Sequence, residues 1–370
     1  MATSMSAVDM NPAGLDKVKA LFQEQLDQGL HPGAAMAVYR HGKLVLDLYG
    51  GTADKEANRP VDKDTLFLIF SCTKALAAFS LHLLWERGQV EIGQWIADYW
   101  PEFAKNGKEH ITLRHILNHT AGFPETPAEL TPDMMVDWDF AVRAMENATP
   151  IYEPGKVIAY HSLNFGWVIG ELVRRVEGRT ISQYLKNEVT GPLGMDDFYL
   201  GLPADQEGRV AKVYTMDDYH PPDMVALFNT PAIHQAVIPA ANGISTARDL
   251  ARFYAMISMK GSLDGVEIIR AGIINSIAAV QEEGIDRNSP EEKEVKLGLG
   301  LAIDDPSMGT PRGNTSSSHS IGHGGLGSSI AWAEPESHLA VAIITNGVRE
   351  SASNTQRLAA LSDAIRDACV

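Results

Sequence analysis

Ser71-Cys72-Thr73-Lys74 is the most informative stretch of this chain, because it places a hydroxyl and an amine three residues apart. Strong helix formers follow Lys74, so the pattern predicts that a helix starts here. Residues i and i+3 share one face of the first helical turn, so the amine can reach the hydroxyl. A serine hydroxyl needs an adjacent base, and a helix N-terminus favours a developing negative charge. The stretch therefore predicts an activated serine, although it also fits an N-cap serine followed by a solvated lysine.

A second segment, Tyr160-His161-Ser162, opens another predicted helix in the middle of the chain. It follows a Pro-Gly turn at 154–155 and precedes the apolar, helix-like run 163–172. The segment therefore places a phenol near a helix start. Taken alone, Tyr160 also fits a half-buried tyrosine with a packing role.

A third segment, residues 322–328, reads Gly-His-Gly-Gly-Leu-Gly-Ser and precedes two apolar runs. The runs at 330–333 and 339–344 flank a turn at Pro335, which predicts an antiparallel hairpin. Gly324 and Gly325 lie on its inner edge, where a substrate can approach the backbone closely. The alternative interpretation of these glycines is a bulge without function.

A serine with a nearby lysine, a central tyrosine and a late Gly-rich strand, in that order, resemble the serine β-lactamase and penicillin-binding protein superfamily. Segments 113–123, 191–195 and 241–250 are similar to the class C β-lactamase-related branch, which includes the family VIII carboxylesterases. The resemblance extends from about residue 30 to residue 346. It implies a β-lactamase/DD-peptidase-like α+β fold.

The resemblance also implies roles for individual residues. Ser71 would be the nucleophile, Tyr160 would pass its proton to the leaving group, and the backbone N–H groups of Ser71 and Leu326 would form the oxyanion hole. Lys74 must either lose its own proton or hold Tyr160 as a phenolate, and both require a perturbed pKa. The sequence leaves open which of the two groups is the first base.

Two departures from the β-lactamase pattern indicate the substrate class. Ser162 stands where β-lactamases usually have Asn, and His323 replaces the Lys that helps to bind a substrate carboxylate. A largely neutral histidine is a poor anion clamp. With Gly324 and Gly325, these residues are the predicted substrate-binding set. The sequence therefore predicts a carboxylesterase acting on a small-molecule ester, with acyl transfer to an alcohol left open.

Two other functions remain as alternatives. A β-lactamase or a D-amino-acid peptidase or amidase would keep the fold and cleave a different bond. A non-catalytic scaffold relative would belong to another class, and its signature would be the loss of Ser71, Lys74 or Tyr160. All three residues are present.

Composition excludes several kinds of partner. The net charge of −16 argues against nucleic acid and anionic membranes, which both attract clustered Lys and Arg. No apolar run approaches a membrane span and the polar start at 1–6 does not resemble a signal peptide. The expectation is therefore a cytoplasmic protein, or else one that has already been processed. Cys72 and Cys369 are too few for a disulfide framework and are expected to be free thiols. A homo-oligomer is left open.

The order of the elements predicts one antiparallel sheet flanked by the N- and C-terminal helices. Residues 1–85 and 241–370 would form this sheet domain, and 86–240 a mainly helical lobe, with the site in the cleft between them. The polar stretches 282–294 and 304–320 are predicted to be loops.

Other motifs carry weaker predictions. Gly322-x-Gly324-x-x-Gly327 matches a dinucleotide fingerprint but precedes a predicted strand rather than a helix. His115 and His119 are four residues apart, yet they lack the Glu of a His-Glu-x-x-His zinc site. No cofactor and no metal are therefore expected. The chain contains no Gly-x-Ser-x-Gly elbow, which argues against an α/β-hydrolase. Three tryptophans could line an acyl pocket or pack in the core: Trp95, Trp100 and Trp138.

Overall fold

The fold is that of a computed structural model, which describes residues 8–289, 291–310 and 319–370. The prediction for the polar start at 1–6 lies outside the described residues, as do residues 311–318 of the predicted 304–320 loop. Within the described ranges, no helix combines the length and the apolar character that crossing a membrane requires.

Helices form where apolar residues recur at helical spacing and a capping residue precedes them. In chain order they are α1 (Pro12–Asp27), α2 (Thr73–Glu86), α3 (Ile96–Tyr99), α4 (Leu113–Leu117), α5 (Trp138–Asn147), α6 (Asn164–Glu177), α7 (Ile181–Leu185), α8 (Pro222–Leu227), α9 (Pro231–Gln235), α10 (Ala247–Ser258), α11 (Ala271–Ala278) and α12 (Ser351–Asp367). The side chain of Asn11 caps α1 by accepting the N–H of Ala13 at 3.0 Å. The predicted terminal helices are confirmed as α1 and α12.

Strands alternate with these helices at both ends of the chain. They are β1 (Gly33–Arg40), β2 (Lys43–Asp54), β3 (Arg59–Pro60), β4 (Phe67–Leu68), β5 (Phe198–Tyr199), β6 (Tyr214–Thr215), β7 (Ile244–Ser245), β8 (Ser262–Leu263), β9 (Val266–Glu267), β10 (Glu282–Ile285), β11 (Glu294–Leu297), β12 (Ala302–Ile303), β13 (Ile321–Gly325), β14 (Ser329–Glu334), β15 (Leu339–Thr345) and β16 (Gly347–Val348).

The two ends of the chain meet in one antiparallel sheet. Among the described residues its strand order is β10-β11-β12-β13-β14-β15-β1-β2-β3. β1 pairs with β15 so that Ala34 faces Thr345 and Arg40 faces Leu339. β14 pairs with β15, which confirms the hairpin predicted around Pro335. The sheet and its flanking helices confirm the predicted fold class.

Both faces of the central strands are covered, so every residue of β1 is buried. Successive side chains of a strand point to opposite faces. Met36 and Val38 therefore pack with α1 and α12, while Ala35 and Ala37 face the core that contains α2 and α10. The second core leads to Ser71, the predicted nucleophile, since α2 is the helix that begins after Ser71.

The prediction of a loop over 282–294 is wrong in part. Glu282–Ile285 and Glu294–Leu297 pair as β10 and β11 at one edge of the sheet. Glu283 on the edge strand β10 and Glu294 at the start of β11 are exposed. Charged side chains are common on edge strands, and they make this stretch look like a loop. The main-chain hydrogen bonds, not apolar side chains, define these strands. The division into domains at residues 85 and 240 stays a prediction.

Candidate active site

Ser71 lies in a short 3-10 turn, Phe70–Cys72, that leads directly into α2. Phe70 has a φ of +47°, in the left-handed region that bulky residues rarely adopt. The surrounding structure holds this conformation, because Phe70 is buried and its ring meets that of Phe228 edge-on at 5.1 Å. Such strain is concentrated at functional sites in proteins. The turn leaves Ser71 half-buried directly before α2, and the helix start predicted from the sequence is confirmed.

The amine of Lys74 is fully buried and makes three hydrogen-bond contacts. It lies 3.1 Å from the Ser71 hydroxyl, 2.7 Å from the carbonyl of Ser162 and 2.9 Å from the carbonyl of Ala240. Burial lowers the pKa of Lys74 from 10.5 to about 7, because the charged form loses its hydration. In the neutral amine, two N–H bonds serve the two carbonyls and the lone pair can face Ser71.

The Ala240 carbonyl reaches Lys74 because α6 packs closely against the segment before β7. A Cβ at Gly166 would lie 2.3 Å from the Ala240 nitrogen and 2.6 Å from the Pro239 carbonyl carbon. Real Cβ atoms do not approach backbone so closely, so this helix position accepts only glycine without a shift. Gly166 thus lets α6 pack against the segment whose Ala240 carbonyl contacts Lys74.

Tyr160 lies beside both groups. Its ring centroid is 4.8 Å from the Lys74 amine. Burial raises the pKa of the phenol above its ordinary value of 10, although a side-chain hydrogen bond with Ser71 acts in the opposite direction. The structure therefore brings together the three predicted catalytic residues, with a lysine that loses its proton easily and a tyrosine that keeps its proton.

His119 holds the Tyr160 segment from one side, and the sequence analysis did not assign it to the site. Its carbonyl accepts the N–H of Ala159 at 2.9 Å, and its Nδ1 accepts the N–H of His161 at 3.0 Å. Its ring lies 4.6 Å from that of Tyr160. His119 also has a φ of +58°, which turns the chain so that both contacts form. The sequence signal that could have indicated this role is the His-Thr-x-Gly segment at 119–122, which is part of the family-like stretch 113–123.

Residues after β10 hold Tyr160 from the other side. Asp286 accepts the N–H of Tyr160 through Oδ1 at 2.9 Å, and Asn288 donates to the Tyr160 carbonyl at 2.7 Å. The backbone of Tyr160 is thus fixed at both its donor and its acceptor. No sequence pattern indicated these contacts, because they join segments more than 120 residues apart.

The first part of the third segment belongs to β13, and this strand lies directly against the turn that contains Ser71. Cys72 donates from Sγ to the carbonyl of His323 at 3.0 Å. A Cβ at Gly325 would lie 2.3 Å from Ser329 Oγ and 2.5 Å from the Ile69 carbonyl oxygen. Only glycine therefore lets the strand approach the turn this closely. This contact brings Leu326 toward Ser71.

The N–H groups of Ser71 and Leu326 are the predicted oxyanion-hole donors. Among the main-chain hydrogen bonds of the described residues outside regular helices and strands, neither N–H is a donor, whereas the Cys72 N–H donates to the Ile69 carbonyl at 3.1 Å. Two unpaired backbone donors next to a nucleophile are the components of an oxyanion hole.

The predicted substrate-binding residues differ in their placement. His323 is buried, its ring lies 6.1 Å from that of Tyr160, and its Nδ1 donates to the Gly324 carbonyl at 2.7 Å. Burial, followed by the charge of Lys74, lowers the pKa of His323 to about 4, so the ring is neutral at pH 7. Ser162 is exposed, and it contributes its carbonyl to Lys74.

A cavity of about 220 Å³ opens beside Tyr160, His323 and Gly324. Its other lining residues are Leu117, His119, Asp286, Lys293, Val295, Leu297, Gly300, Leu301, Ala302 and Asp305. None of the three tryptophans considered as pocket residues lines it. Trp100 is buried and donates to Glu146 at 3.0 Å, so it has the packing role.

The family model for Beta-lactamase matches residues 18–364. This chain belongs to the beta-lactamase family. It is 32% identical over 344 residues to the esterase/beta-lactamase LipL of Mycobacterium tuberculosis. This alignment covers 85% of this chain and 77% of LipL. The match confirms the predicted superfamily.

Two solved structures of the family are similar to this chain over nearly its whole length. A family VIII carboxylesterase superposes with a TM-score of 0.86 at 29% identity, covering 96% of this chain and 98% of that one. A penicillin-binding protein homolog from Caulobacter crescentus gives 0.84 at 31% identity, covering 96% and 98%. The chain is thus a member of a serine hydrolase family with esterase relatives.

Proposed function

We propose that this protein is a serine carboxylesterase in which Ser71 is the nucleophile and Lys74 the first base. One observation supports this most strongly: the Lys74 amine is buried, 3.1 Å from the Ser71 hydroxyl, and its pKa is lowered to about 7. A base with a pKa near the working pH is the most effective in proton transfer. A phenol whose pKa is raised by burial is the weaker candidate for that step.

The reaction has two halves. The Ser71 Oγ forms a bond to the ester carbonyl carbon as Lys74 takes the hydroxyl proton. The oxyanion of the tetrahedral intermediate accepts from the N–H groups of Ser71 and Leu326, and each such donor is typically worth about 3 kcal/mol. The bond to the alcohol then breaks, and the proton passes through Tyr160 to the departing alkoxide. Water repeats the sequence on the acyl-serine and releases the acid.

The ester preference rests on the electrostatics of the third strand. His323 replaces the lysine of β-lactamases and is neutral, so it offers no charge to the carboxylate of a penicillin. An ester also has a better leaving group than an amide. The alternative, a β-lactamase or amidase activity, is kept because the relative LipL is described as both esterase and beta-lactamase.

The experiment combines covalent labelling with turnover. A fluorophosphonate probe should label the purified protein, and 4-nitrophenyl esters of increasing chain length should be hydrolysed. Ser71→Ala should abolish both, while Ser276→Ala, the same change at a residue of α11 that does not line the cavity, should have no effect on either. Labelling and turnover that survive Ser71→Ala would overturn the assignment. Equal kcat/KM for nitrocefin and 4-nitrophenyl acetate would favour the alternative.

A further inference from the structure

Lys293 and Asp305 form an ion pair in the wall of the substrate cavity. The Lys293 amine lies 2.6 Å from Asp305 Oδ2, and both side chains are partly buried. Lys293 precedes β11 and Asp305 follows β12, two strands that pair antiparallel. That pairing brings the start of one strand beside the end of the other.

The ion pair lies close to His323, the residue that replaces the carboxylate-binding lysine of β-lactamases. Strand β12 pairs with β13, which carries His323, and Ala302 faces Gly322 in that register. The charges of Lys293 and Asp305 both act on His323, in opposite directions. Among the described residues that line the cavity, Lys293 is the one lysine or arginine. It is therefore the group that could bind a substrate carboxylate in place of the absent lysine.

Resting on the esterase function, we propose that Asp305 determines substrate charge specificity: it pairs with Lys293 and so withholds that cation from carboxylate-bearing substrates. A substrate carboxylate must compete with a neighbour already held at 2.6 Å. The second carboxylate in the wall, Asp286, adds negative charge and remains bound to backbone N–H groups through Oδ1. A cavity wall in which Lys293 is paired with Asp305 therefore favours neutral esters.

The structure suggests how to release Lys293 without disturbing the loop. Asp305 Oδ1 accepts the N–H of Ser307 at 2.9 Å and caps the turn Pro306–Met308. In Asp305→Asn the amide oxygen can keep this cap, and the amide nitrogen then takes the place of Oδ2. The new amide N–H groups would then face the Lys293 ammonium, which is also a donor. The ion pair therefore breaks, and the charge of Lys293 is left uncompensated.

The test compares two esters that differ only at the far end of the acyl chain. 4-Nitrophenyl hexanoate ends in a methyl group, and mono-4-nitrophenyl adipate ends in a carboxylate. The measured quantity is the ratio of their kcat/KM values on one enzyme preparation, which does not depend on the folded fraction. Asp305→Asn should shift this ratio toward the adipate ester by at least about tenfold, equivalent to ~1.4 kcal/mol. The shift should shrink as salt is added.

Two further variants make the result specific to the ion pair. The double variant Lys293→Met/Asp305→Asn should return the ratio to the original value, because the released cation is gone. Asp304→Asn removes the same charge from a neighbour that pairs with His319 and does not line the cavity, so it should leave the ratio unchanged. A ratio within twofold of the original in Asp305→Asn, or a shift that persists in the double variant, would overturn this inference. Ester turnover that survives Ser71→Ala would instead overturn the proposed function.

Discussion

The protonation of Lys74 should control the pH dependence of ester hydrolysis. Burial lowers the pKa of this amine from 10.5 to about 7, and only its neutral form can accept the Ser71 proton. At pH 7 roughly half of the molecules then hold a free base, against about one in three thousand for a lysine of ordinary pKa. We expect kcat/KM to rise with pH, to reach half its maximum near pH 7, and to level off above about pH 8.

The assay is the pH profile of kcat/KM for a neutral alkyl ester, followed by pH-stat titration so that no chromophore ionises in the range. This quantity reports ionisations of the free enzyme. Tyr160→Phe is the matched control, because it removes the phenol and retains the ring beside the Lys74 amine. It should lower the plateau and keep the midpoint near pH 7.

Two results would refute this reasoning. A midpoint above about pH 9 would mean that Lys74 remains charged in the folded protein, and that burial does not govern its titration. A midpoint near 7 that disappears in Tyr160→Phe would identify the phenol, rather than the amine, as the first base.

Three further changes test the rest of the site. Lys74→Ala and Tyr160→Phe should each reduce kcat at least about a hundredfold in steady-state assays. Because both residues serve one proton path, the loss in the double variant should be much smaller than the product of the two single losses, and multiplicative losses would contradict this. His323→Lys should raise nitrocefin turnover relative to 4-nitrophenyl acetate by restoring an anion clamp, and an unchanged ratio would show that the strand does not face the substrate carboxylate. Gly325→Ala should lower both the melting temperature and kcat, because its Cβ would lie 2.5 Å from the Ile69 carbonyl oxygen; normal values for both would mean that the strand can move aside.

The local features of the site could be predicted from the sequence. The spacing of Ser71 and Lys74 places both on one helical face whatever the surroundings. The two apolar runs around Pro335 specify a hairpin in the same way. These are short-range properties, and the structure reproduces them.

The tertiary structure decided the rest. The pKa of Lys74 depends on its burial against the carbonyls of Ser162 and Ala240, and no sequence pattern encodes that desolvation. The contacts that fix Tyr160 come from segments near residues 119 and 286. The sequence of strand β10 and the start of β11 looked like a loop. The Lys293–Asp305 pair also depends on the pairing of β11 with β12. Long-range packing determines which charged groups meet and how much of their hydration they lose, and neither can be inferred from the local sequence.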